Sequence, residues 1–141
     1  MKLNSNEIQK ILPHRHPFLL VDKITECTPG EYAKGIKCVT STEPWFPGHF
    51  PEYHVMPGVL ILEAMAQTGA VALLSSPGYE GKTAFFGGVK NARFKKQVLP
   101  GDVLELECRL TAIRGGIGFG EGTATVNGEL AAKAEISFAI G

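Results

Sequence analysis

The chain has 141 residues, and its 14 Lys and Arg balance 14 Asp and Glu. A neutral chain of this length is expected to form one domain over residues 1–141, and the balance excludes nucleic acid or an anionic membrane as a main partner reached through net charge. At 44% hydrophobic and 20% charged it can build a core, while 17 glycines and 9 prolines favour strands and turns over a helical bundle.

Met1 to Gln9 is polar and lacks the basic, apolar and small-residue series of a signal peptide, which predicts a cytoplasmic protein. Asn4 and Glu7 have capping-box spacing and open a short helix through Ile11 that Pro13 ends; it is suited to cover a sheet edge. Phe18–Thr25 and Tyr32–Thr40 are candidate strands around the turn signal Thr28-Pro29-Gly30. A proline-punctuated loop runs from Glu43 to Pro57. Beyond it, Gly58 to Ser75 has no breaker except Gly69, and Pro77-Gly78 terminates this one long helix. Val59, Leu60, Ile61, Leu62, Met65, Val71, Leu73 and Leu74 leave it no polar stripe, so it is expected to be enclosed. Glu63 and Gln67 argue against a membrane span, because hydrocarbon would strand both.

Val103 to Ile113 alternates, with Leu104, Leu106, Cys108, Leu110 and Ala112 on one face and Glu105, Glu107, Arg109 and Thr111 on the other. Gly116, Gly118, Gly120 and Gly122 do not meet the G-x-G-x-x-G spacing of a nucleotide loop. In a strand they share one face and leave it bare for another backbone to approach. Asn127-Gly128 is a hairpin signal, followed by a run that places Leu130, Ala132, Ala134, Ile136 and Phe138 inward. The fold class that satisfies this order is α+β, a curved antiparallel sheet wrapped around one long helix. Cys27, Cys38 and Cys108 are odd in number with no C-x-x-C pair, so reduced thiols are expected and not a disulfide framework or zinc knuckle.

Groups with chemical potential concentrate between Glu43 and Gln67. Pro47 and Pro51 restrict the backbone around Gly48-His49-Phe50, which can hold an imidazole in place outside regular structure. A loop histidine taken alone is as readily structural or solvated. Glu63 lies amid Leu60, Ile61, Leu62, Ala64 and Met65, so unless it emerges at the helix surface it needs a partner or a proton. Gln67, four residues on, can face the same side and hydrogen bond it. Gly58 offers an unsatisfied N–H at the positive end of the helix dipole, where such a donor can stabilise enolate charge. Five residues separate Gly58 from Glu63, roughly 7.5 Å along the axis. That spacing does not identify the reaction.

Several runs together carry a resemblance: Leu12-Pro13-His14-Arg15-His16-Pro17-Phe18-Leu19-Leu20-Val21-Asp22, Gly48-His49-Phe50-Pro51, Met56-Pro57-Gly58-Val59-Leu60 and Leu62-Glu63-Ala64-Met65-Ala66-Gln67. With Arg93-Phe94 and Pro100-Gly101-Asp102, the chain closely resembles the FabZ-type (3R)-hydroxyacyl-[acyl carrier protein] dehydratases over nearly its whole length. The resemblance implies the hot-dog fold and dehydration of a carrier-bound 3-hydroxyacyl chain in fatty acid biosynthesis. It implies that His49 is the catalytic histidine, Glu63 the catalytic carboxylate, Gly58 the backbone donor to the thioester carbonyl, and Gln67 a residue that positions Glu63. No metal and no organic cofactor is expected. The implied partners are acyl carrier protein and a second copy of the chain, in a homodimer that can assemble as a trimer of dimers, with His49 and Gly58 of one subunit facing Glu63 of the other.

The chain departs from the family pattern at His16, Trp45, Thr42 and His54, the last standing where proline is common and bearing on the path of the loop. His14 with His16, and His49 with His54, lack acidic or thiol ligands at the spacing a metal site needs. A dehydratase that also isomerises resembles this group with Asp at the Glu63 position, so Glu63 favours dehydration alone. The remaining readings are a hot-dog acyl thioesterase and a non-catalytic acyl-carrier-binding protein. Lys90, Arg93, Lys95 and Lys96 form the densest basic cluster and are candidates for docking an acidic carrier, or a solvated charged strand.

Overall fold

In the computed structural model, which describes residues 1–141, helix α1 spans Ser5–Ile11. The Asn4 side chain accepts from the Glu7 amide and the Glu7 carboxylate accepts from the Asn4 amide, the reciprocal cap expected from their spacing. Strand β1 is Lys23–Thr28 and β2 is Tyr32–Cys38. The chain from Phe18 to Asp22, expected to begin the first strand, is instead irregular. Its backbone is engaged by a helix side chain: Gln67 accepts from the Leu20 amide and donates to the Phe18 carbonyl, both at 2.8 Å. The sheet edge at β1 is met by Leu3, which exchanges two backbone hydrogen bonds with Ile24.

Helix α2 covers Gly58–Leu74, one residue shorter than expected. From Ile61 onward it is buried on nearly every side, which follows from its lack of a polar stripe. Its first turn is the exception, because Val59 is 71% exposed. The helix is 17 residues long, and no helix here is long and apolar enough to cross a membrane.

Four more strands complete the architecture: β3 (Ala84–Phe94), β4 (Val103–Arg114), β5 (Ile117–Val126) and β6 (Glu129–Ile140). All pairings are antiparallel and the spatial order is β1-β2-β4-β5-β6-β3, a six-stranded sheet packed on α2 as the hot-dog fold requires. Asn127 and Gly128 take φ values of 50° and 80° in the two-residue turn from β5 to β6, the left-handed pair that an Asn-Gly hairpin demands. The inward alternation of β4 holds through Cys108, then a bulge between Leu110 and Ala112 leaves both half-buried. A second bulge, after Ala124, leaves Leu130 half-buried and sends Ala131 into the core.

The glycine row differs from expectation in two respects. Gly116 lies in the turn before β5, so three glycines and not four share the concave face. What approaches them is side chains as well as the expected backbone: a Cβ on Gly122 would run into Met65 and one on Gly118 would sit 3.3 Å from Leu73, whereas one on Gly120 would lie 3.0 Å from the Arg109 carbonyl oxygen of the neighbouring strand. The bare face is the seat of α2.

Strand β3 matches only the alternative of a solvated charged strand around Lys90 and Arg93, and its course from Ala84 is not expected from the sequence. It is an edge strand exposed along most of its length, with Phe85 60% and Phe94 52% accessible, so no alternation marks it in the sequence.

Candidate active site

His49 is delivered by the loop between β2 and α2. Lys37 of β2 and Glu43 form a nearly buried ion pair at the loop's start, and Phe46 in the short 3-10 turn Phe46–Gly48 is fully buried. The loop's far side is held by the Met56 amide on the Val98 carbonyl at 2.8 Å and by the Tyr53 hydroxyl on Gln97 at 2.6 Å. Between these anchors Nδ1 of His49 lies 2.9 Å from the Val55 carbonyl oxygen. A carbonyl can only accept, so Nδ1 carries the hydrogen and Nε2 keeps its lone pair, the tautomer of a base. His54 packs against Phe46 at 5.7 Å between ring centroids and does not line the same hollow as His49.

That hollow, of about 410 Å³, is lined by His49, Met56, Gly58, Phe94, Lys95 and Lys96 among others. The Gly58 amide opens α2 and makes no backbone hydrogen bond, so the donor expected at the helix start is free. A Cβ at position 58 would lie 2.8 Å from the Phe94 ring, which is why the close packing here requires glycine.

Glu63 projects elsewhere, into a separate hollow of about 230 Å³ with Gln67, His14, Phe18, Phe85 and Phe86. Gln67 donates to Oε2 of Glu63 at 2.8 Å while its own oxygen holds Leu20, so an amide that is 1% exposed fixes the carboxylate to both helix and loop. Burial raises the proton affinity of Glu63 above the ordinary carboxylate range; the Gln67 hydrogen bond and the nearby His14 offset part of that effect. The carboxylate has a partner and is also disposed to keep a proton.

Within one chain, then, the expected site residues fall into two groups: His49 and Gly58 in one hollow, Glu63 and Gln67 in the other. The basic cluster divides as well. Lys95 and Lys96 border the His49 hollow, whereas Lys90 lies at an outer hollow of the sheet. Arg93, on β3, is exposed. Sequence reasoning missed His14 as a neighbour of Glu63, Phe94 as the cover of Gly58 and Val55 as the partner of His49. Each pairing depends on packing between separate segments or on a turn path that spacing does not encode.

Three comparisons bear on this arrangement. Residues 12–135 match the family model described as a FabA-like domain. The chain is 59% identical over 139 residues to the 3-hydroxyacyl-[acyl-carrier-protein] dehydratase FabZ of Clostridium perfringens (strain SM101 / Type A), covering 99% of each chain. It is equally 59% identical to the FabZ of Bacillus cereus (strain AH187), covering 99% of this chain and 96% of that one. Among solved structures, the dehydratase heterocomplex ApeI:P from Xenorhabdus doucetiae superposes with a TM-score of 0.75 at 18% identity, over 94% of this chain and 89% of that one, a likeness of fold.

Proposed function

The chain belongs to the FabZ family of 3-hydroxyacyl-[acyl carrier protein] dehydratases, and from that premise we propose that it converts (3R)-3-hydroxyacyl chains on acyl carrier protein to the trans-2-enoyl form in fatty acid biosynthesis, with residues 1–141 acting as one domain. Removing water requires a base for the C2 proton, an acid for the departing C3 hydroxyl and a donor to the enolate oxygen. Nε2 of His49 takes the C2 proton. The electron pair left at C2 forms the C2=C3 bond as the C3–O bond breaks, and the hydroxyl leaves as water with a proton from Glu63. The free Gly58 amide donates to the thioester oxygen while charge develops there. A carboxyl group whose burial favours the protonated form suits this acid role.

The observation that supports the reading most is where β3 ends. Its first residues, Ala84 to Phe86, border the Glu63 hollow, and its last, Phe94, borders the His49 hollow. Pairing β3 antiparallel with its own copy across a two-fold axis sets the start of one strand beside the end of the other. That brings His49 and Gly58 of one subunit to Glu63 of its partner, and it covers the exposed apolar residues of an unpaired edge. The working unit is therefore a homodimer, with a trimer of dimers as the larger assembly. Lys95 and Lys96 at the mouth of the His49 hollow, with Arg93 nearby, suit docking of an acidic carrier. The three unpaired cysteines suit a reducing cytoplasm.

The reverse reaction tests the assignment. Added to a crotonyl thioester, the protein is expected to lower the ultraviolet absorbance of the conjugated enoyl group to an equilibrium plateau without releasing thiol. Thiol release at a comparable rate would make it a thioesterase, and no change with either readout would leave a carrier-binding protein.

A further inference from the structure

His14 lies 49 residues before Glu63 in the chain, yet its Nε2 stands 3.6 Å from Oε2 of Glu63, with both side chains mostly shielded from solvent. Its other ring nitrogen, Nδ1, is buried and has no hydrogen-bond partner. A half-buried imidazole with one buried, orphan nitrogen is costly unless the other is employed, and the group that Nε2 meets is Glu63.

The segment that carries His14 is held on both sides. Arg15 donates to the carbonyls of Gln9, Leu12 and His14, which fixes the turn leaving α1. Gln67 binds Phe18 and Leu20 on the other side, and the His14 ring stacks on Phe18 at 6.3 Å between centroids. The imidazole therefore approaches the carboxylate on a braced loop and not on a mobile one.

We propose that His14 is a positioning residue that acts through Glu63, its Nε2 and the Gln67 amide holding the carboxyl group from two sides in the orientation that proton transfer requires. The inference rests on Glu63 acting in the reaction as proposed above. At 3.6 Å the contact is too long for a hydrogen bond and works through the field of the imidazole, which favours the ionised carboxylate. Within one chain, His14 is the sole titratable residue besides Glu63 lining this hollow; Gln67, from α2, is neutral, and the walls from β3 and β6 are Phe85, Phe86 and Phe138. In the proposed dimer the other titratable group facing Glu63 is His49 of the second copy, which is the same in every variant compared below. Removing the imidazole leaves burial less opposed, so Glu63 should bind its proton more tightly.

The test compares His14→Leu with His14→Gln, whose amide dipole can again face the carboxylate, in the 141-residue chain. The 13C carboxyl resonance that vanishes in Glu63→Gln identifies Glu63. It should titrate at higher pH in His14→Leu than in the wild type, the pH–rate limb that depends on Glu63 should move the same way, and kcat should fall about tenfold with KM little changed. His14→Gln should recover kcat to within about threefold. In the Glu63→Gln background His14→Leu should have almost no further effect, because the residue through which it acts is gone. An unmoved titration, or an equal loss of rate in both backgrounds, would overturn the proposal. If Glu63→Gln itself retains full activity, the assignment of Glu63 fails and this inference falls with it; circular dichroism of every variant separates either result from misfolding.

Discussion

His49 and Val55 hold each other twice: the Val55 amide donates to the His49 carbonyl at 3.0 Å, and the Val55 carbonyl accepts from Nδ1 of the imidazole at 2.9 Å. The pair closes the loop on itself and fixes which ring nitrogen is free. Replacing His49 with alanine should therefore remove the base without removing the loop's own anchors at Phe46, Met56 and Tyr53. Dehydration is expected to drop by roughly 10²- to 10⁴-fold with the circular dichroism spectrum unchanged. His54→Ala, which loses only packing on Phe46, should reduce turnover far less. A larger loss from His54→Ala would identify the wrong histidine.

Glu63→Gln should lower turnover by a similar order and also alter the pH dependence of stability. Burial raises the folded-state proton affinity of Glu63, so between the ordinary value of 4.5 and the raised one the folded chain binds more protons than the unfolded chain. The stabilisation tied to that proton is complete below 4.5 and is lost as pH rises through the folded-state value. Glutamine has no such proton to lose. The variant should thus lose less stability than the wild type between acid and neutral pH, as read by denaturant midpoints at matched pH. Parallel curves would mean that Glu63 titrates normally.

Much of this was legible in the chain because short-range rules apply where one segment decides its own structure. Asn4 and Glu7 satisfy each other within one turn, Asn127-Gly128 fixes its hairpin by backbone conformation, and α2 shows its burial by having no polar face. The Glu63–Gln67 hydrogen bond follows from helical periodicity in the same way. Legibility ends where a structure depends on a distant segment. Phe18 to Asp22 has strand composition, but Gln67 takes the Leu20 amide and the Phe18 carbonyl, and the Arg15 carbonyl takes the Phe18 and Leu19 amides. Strand β3 is exposed on both faces in a single chain, so it shows neither alternation nor a buried run. Nothing in the spacing of His14 reveals Glu63, because the turn locked by Arg15 brings them together.

The glycines of β5 give a graded test of how closely α2 is seated. Alanine at position 122 must displace Met65, whereas alanine at position 118 meets Leu73 at 3.3 Å, a contact that a small shift relieves. Gly122→Ala should destabilise by about 1–3 kcal/mol, the range for overpacking a filled core, and Gly118→Ala by less. Shortening the opposing side chain with Met65→Ala should be less harmful in the Gly122→Ala background than alone. Equal effects in both backgrounds would show that the two positions do not meet.

Carrier docking can be separated from catalysis by changing the substrate. Lys95 and Lys96 border the His49 hollow, and Lys96 is drawn toward Glu129 at 3.3 Å. Charge reversal at both positions should raise KM for carrier-bound substrate by roughly tenfold or more at low salt, with a smaller effect at high salt. A short thioester that lacks the carrier should be nearly indifferent. Equal changes for both substrates would assign the lysines to the hollow itself and dismiss docking.

The composite site makes the most demanding prediction. If β3 pairs with its copy as proposed, His49→Ala and Glu63→Gln chains are each inactive as homodimers, but a mixed dimer has one site with both defects and one with neither. Random pairing makes about half the dimers mixed, so co-refolding should restore roughly a quarter of the wild-type sites. Differential tagging must first show that chains exchange. The recovered activity should then disappear when a charged residue is introduced at Val89, an exposed position on the proposed pairing strand that lines neither hollow. With exchange shown and no recovery, His49 and Glu63 must work within one chain, and the separation between their two hollows would have to close by a rearrangement of the loop that carries His49 and not by dimerisation.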